Sequence, residues 1–131
     1  MENKTQIHEF FPEVYPRRVW IVKGGKLEAL RERFCKRDNT EICFEGAYEG
    51  YVDSVMYKEN GLLGELIWFP YASAMPIGHI SHEATHAAID IFDDCGCRID
   101  AENQEPFAYL VGWIAKCINE VKRGKYGKST K

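Results

Sequence analysis

Between Ile77 and Phe92 the chain reads Ile-Gly-His-Ile-Ser-His-Glu-Ala-Thr-His-Ala-Ala-Ile-Asp-Ile-Phe, and no other run constrains the fold as strongly. Ile80, Ala84, Ala87, Ala88 and Ile91 recur at helical spacing, with Pro76 suited to the first turn and Gly96 to the stop. The spacing predicts a mostly buried helix. On such a helix His82 and His86 share one face, roughly 6 Å apart along the axis, and Glu83 lies one residue round from His82. The small side chains of Ala84, Ala87 and Ala88 allow a second element to come close.

The elements around this helix follow from local patterns. Residues 1–15 show no sustained period and read as an extended lead-in that pins Phe10 and Phe11. Arg17–Lys23 is β-branched and aromatic, stops at Gly24-Gly25, and reads as a strand. Leu27, Leu30 and Phe34 predict an amphipathic helix over Lys26–Lys36. Ile42–Phe44, Tyr48–Tyr57 and Leu62–Phe69 read as strands, the last two joined by an Asn60-Gly61 hairpin turn. Tyr48, Tyr51, Tyr57, Trp68 and Phe69 are read as core packing. A final helix begins near Pro106, with Asn103 as its cap and Glu105 in its first turn. On it Ala108, Gly112 and Ala115 form a strip narrow enough to lie against the alanines of the first long helix. Asp93 and Asp94, unfavourable at a helix C-terminus, read as solvated acids.

The expected architecture is therefore α+β: a small antiparallel sheet, then the histidine helix, then the glutamate helix. A chain of 131 residues suits one domain spanning residues 1–131, with residues 121–131 a basic tail. A net charge of −3 gives no ground for a nucleic-acid partner, and no apolar run is long enough to span a membrane. Five scattered cysteines without an export signal suggest free thiols in a reducing cytoplasm, with Cys95 and Cys97 flanking the Gly96 stop.

His82-Glu83-Ala84-Thr85-His86 is an H-E-x-x-H segment, a spacing that chelates one zinc ion and sets a carboxylate to take a proton from a metal-bound water. Two histidines hold zinc weakly, and a catalytic site takes a third protein ligand. Ile89 and Phe92 stand where a three-histidine extension would need Gly and His, so that subclass is excluded. One alternative takes the third ligand, a glutamate, from the following helix, Glu105 with Glu102 as its rival; a structural set could instead draw on His79, His82, His86, Cys95 and Cys97. His79 and Tyr109 are candidates for stabilising an oxyanion, and Asp90 for orienting a ligand imidazole from behind. The Leu62–Phe69 strand is a candidate edge for pairing with an extended peptide.

Taken with the Glu105-Pro106-Phe107-Ala108 segment that follows, the motif resembles that of compact gluzincin-type metallopeptidases, which include small zincin-like proteins of phages and other mobile elements. The resemblance covers residues 62–118 and implies a zincin-like minimal domain. It further implies one zinc ion bound by His82, His86 and Glu105, Glu83 as general base, and a peptide or protein as substrate. The alternative is a zinc-containing, non-catalytic module that binds a protein partner.

Overall fold

The computed structural model describes residues 5–47 and 49–124. Its strands are β1 (Ile7–Phe10), β2 (Arg18–Lys23), β3 (Phe34–Lys36), β4 (Tyr51–Tyr57) and β5 (Leu63–Phe69), and its helices are α1 (Leu27–Arg33), α2 (Ile77–Asp94) and α3 (Glu105–Lys122). The strands form one sheet in the order β1-β2-β5-β4-β3. The class is α+β as expected, but the sheet is mixed: β2 runs parallel to β5, and the other neighbours are antiparallel.

Alternation along each strand sends side chains to two different cores. Val19, Ile21, Ile67 and Phe69 face α2 and α3, where they pack with Ile80, Ala84, Ala87, Ala88, Ile91, Leu110, Ile114 and Ile118. Trp20, Val22, Leu66 and Trp68 face the opposite way, onto Leu30, Phe34, Ile42 and Phe44. The sheet is thus a middle layer between the two long helices and α1 with the loop that follows β3.

Several boundaries differ from the sequence reading. The expected Lys26–Lys36 helix stops at Arg33, because Phe34-Cys35-Lys36 pairs with Tyr57-Met56-Val55 at the sheet edge. Ile42–Phe44 forms no strand, although Ile42 and Phe44 are buried. The Tyr48–Tyr57 strand begins at Tyr51, and Tyr48 lies outside the described residues. The lead-in contributes β1, which buries Phe10 and leaves Phe11 partly exposed. The Asn60-Gly61 turn joins β4 to β5 as expected, with Gly61 at φ +74°.

The ends of the long helices also carry corrections. Pro76 caps α2 rather than sitting inside it, and Gln104 rather than Asn103 caps α3. Asp94 is no solvated acid: its Oδ2 accepts from Arg17 Nε at 3.0 Å and lies 2.8 Å from Arg37 Nη2, so it ties α2 to the start of β2 and the end of β3. Those two guanidiniums hold its carboxyl below the usual range despite the opposing effect of burial. The strip on α3 does not meet α2 as expected, since Ala108 and Gly112 are exposed. The helix buries Leu110, Ile114, Cys117, Ile118 and Val121 instead. Among the described residues no helix is long and apolar enough to cross a membrane.

Candidate metal and catalytic site

α2 presents the H-E-x-x-H segment where its exposed face meets the start of β4. His82 and His86 are exposed, their rings are edge-on with centroids 4.7 Å apart, and their Nε2 atoms lie 3.2 Å apart. Two imidazole nitrogens bound to one tetrahedral zinc at 2.0–2.1 Å would stand about 3.3 Å apart. The separation of the two donors is therefore close to that of two ligands on one zinc ion. Ala84 and Ala87 on the opposite face of α2 are fully buried and fix the rotation of the helix so that the histidines face outward.

Glu83 faces inward and is 7% exposed. Burial raises its pKa, opposed by the nearby His82, His86 and His79. Its carboxyl group lies directly over Gly50, where an added Cβ would stand 3.0 Å from Glu83 Oε2. Gly50 also has φ +149°, a conformation few L side chains adopt. Gly50→Ala is accordingly expected to displace the Glu83 carboxyl and to cost about 1–3 kcal/mol of stability from the strained backbone. Thermal melting checks the stability.

The cleft beside these residues is lined by Gly50, Tyr51, Val52, His82, Glu83, His86 and Asp90. It thus brings together His82, Glu83, His86 and Asp90 of the sequence-based set. His79 is close by: its Nδ1 lies 3.1 Å from the Ala74 carbonyl oxygen and its Nε2 lies 3.7 Å from Glu49 Oε1. A carbonyl only accepts, so Nδ1 carries the proton, and donation from Nε2 to an oxyanion requires a second one.

The remaining candidates lie elsewhere. Tyr109 is 75% exposed on α3 and does not line the cleft. Glu105 and Glu102 are exposed at and before the start of α3. The Phe92–Phe107 ring contact of 5.3 Å sets that start beside the last turns of α2, at a level about 9 Å beyond His86 along the helix axis. No group of three or more His, Cys, Asp or Glu side chains is gathered to hold a metal ion among the described residues. The Leu62–Phe69 edge is also corrected: β5 is central, flanked by β2 and β4. The free edge beside the cleft belongs to β4, since β3 covers only Val55–Tyr57 and no strand pairs with the outer side of Tyr51–Ser54 among the described residues.

Sequence reasoning missed Glu65. It lies in β5 on the same side as Ile67 and Phe69, a parity that otherwise carries apolar side chains, and it is fully buried. Ser54 Oγ donates to its Oε2 at 2.7 Å, and Asp90 on α2 forms a side-chain hydrogen bond with it. Burial and that neighbouring acid push the Glu65 pKa up to about 10. A carboxyl whose folded pKa lies above its unfolded value, ordinarily 4.5, stabilises fully below the unfolded value and loses that contribution as pH rises toward the folded one. The melting temperature is therefore expected to fall between about pH 5 and pH 10, and Glu65→Gln to flatten that slope. Calorimetry across this range checks both.

No protein-family model, curated protein or solved structure matches the chain, so the site stands on its own geometry.

Proposed function

We propose that this protein is a zinc-dependent metallopeptidase that hydrolyses a peptide bond in a peptide or protein. The observation that carries the reading is the 3.2 Å separation of the His82 and His86 Nε2 atoms, beside the buried carboxyl of Glu83. When bound, zinc supplies Lewis acidity toward a carbonyl and a water made acidic enough to attack it. His82 and His86 are two of its ligands, and Glu105 is the proposed third, with Glu102 as the alternative. Completing the set requires the start of α3, or the loop before it, to approach His86.

Glu83 is the general base: it takes the proton of the attacking water and returns it to the leaving amine. Its burial favours the protonated form, which makes the ionised carboxylate a stronger base than a solvated one. The outer edge of Tyr51–Asp53, which no strand covers among the described residues, is open to an extended substrate, which would then run past Gly50 and Glu83.

The test joins metal analysis to a comparison of cleaved N-termini. Purified protein should carry one zinc, lost in His82→Ala and His86→Ala and kept in Glu83→Gln. New N-termini should appear with the wild type and not with Glu83→Gln. Zinc in both without differential cleavage would overturn the enzyme reading. It would leave a zinc-containing module that binds a partner.

A further inference from the structure

The fully buried Glu65 has one oxygen served by the Ser54 hydroxyl, while Oε1 is buried and finds no N–H or O–H donor. Its other side-chain hydrogen-bond partner is Asp90, another acid. Two ionised carboxylates cannot hydrogen-bond to each other, so this contact requires a proton between them. Asp90 in turn lines the cleft with His82, Glu83 and His86. β5, β4 and α2 thus meet in a chain that leads from the Ser54 hydroxyl to the floor of the site.

We infer that Glu65 is a positioning residue: a buried carboxylic acid that donates its proton to a hydrogen bond with Asp90 and thereby fixes Asp90 on the floor of the histidine cleft. The groups that face Glu65 agree with this assignment. Ser54 across the β4–β5 pair is neutral and donates, Asp90 accepts, and the guanidinium of Arg37 is the one cation that acts on it among the described residues. Arg37 is itself committed to carbonyl oxygens, through Nε to Val55 and Nη2 to Gly64, and to Asp94. A proton shared between the two acids therefore accounts for their contact. The consequence for the cleft is that Asp90 keeps one orientation behind His86, where it can steady that imidazole or an incoming cation.

This inference deepens the metallopeptidase reading, and its test separates the two. Infrared difference spectra of wild type against Glu65→Gln at neutral pH should show the carbonyl stretch of a protonated carboxylic acid in the wild type alone. Asp90→Asn should shift that band, since it changes the acceptor, and Ser54→Ala should shift it less. In parallel, Zn2+ titration of metal-free protein compares Glu65→Gln, which keeps a donor toward Asp90, with Glu65→Leu, which keeps none. Glu65→Gln should retain zinc affinity within about threefold, and Glu65→Leu and Asp90→Asn should lose about 10- to 100-fold. Absence of the band, or a band indifferent to Asp90→Asn, overturns the inference whatever happens with zinc. Equal zinc affinity in folded Glu65→Gln and Glu65→Leu overturns the positioning role. A wild type that shows the band but binds no zinc sinks the metallopeptidase reading and leaves the buried acid pair standing.

Discussion

Glu83→Gln is expected to lower kcat for peptide hydrolysis by about 10²- to 10⁴-fold, the range in which a positioned general base contributes. The same variant should leave zinc content and the fold intact. The amide has the shape of the carboxyl it replaces, so it sits over Gly50 without new overlap, and it neither enters nor leaves the pair of Nε2 atoms 3.2 Å apart. It also removes an acid whose ionised form burial disfavours, so the melting temperature should hold or rise. The decisive measurement is kcat on a peptide identified by its new N-terminus, with zinc content and melting temperature taken on the same preparation. Activity within tenfold of the wild type would remove Glu83 from the chemistry.

What the sequence disclosed about this site was what lies along one element. His82, Glu83 and His86 belong to a run whose period, opening proline and closing glycine are all local, and α2 spans Ile77–Asp94 much as that run predicts. The Asn60-Gly61 turn is local too, and it correctly joined β4 to β5. The parallel pairing of β2 with β5 was not legible, because it joins strands about forty residues apart and no turn residue records it. The short β3 was hidden for a different reason: Phe34 continues the apolar period of Leu27 and Leu30, and only pairing with Tyr57 pulls it out of the helix.

The third ligand shows how a sound local argument can miss its tertiary premise. Pro106 did place Glu105 at the start of α3. The case for its reaching α2, however, rested on Ala108 being the contact residue, and Ala108 is exposed. Small side chains signal close approach only when the rotation of the helix is known. Larger neighbours on the other side, Leu110 and Ile114, set that rotation by burying more apolar area. Glu65 had a local signal that went unread: an acid at the inward parity of a strand, between Leu63 and Ile67, is costly to bury unless a partner or a proton accompanies it.

Gly64→Ala is expected to be the most damaging single-methyl change in the molecule. Gly64 opens the parallel pairing of β5 with β2, opposite Arg18. A Cβ there would overlap the Arg18 carbonyl oxygen and stand 2.7 Å from Cζ3 of the fully buried Trp20. Neither obstacle can step aside. The carbonyl belongs to the backbone of β2, and the Trp20 ring is held between Phe34 and Tyr57 at centroid distances of 5.1 and 5.7 Å. The strands must separate locally, at a cost of about 3 kcal/mol or more, which for a domain of this size lowers the melting temperature by roughly 10 °C. Gly112→Ala is the control: Gly112 lies in the exposed face of α3 with open space where the methyl would go, so the same chemical change should stabilise by about 1 kcal/mol. Paired denaturant melts of the two variants check the prediction. Because Glu65 follows Gly64 directly in β5, Gly64→Ala should also disturb the Ser54–Glu65–Asp90 chain and so reach the cleft from beneath, whereas Gly112→Ala should leave zinc binding and cleavage unchanged.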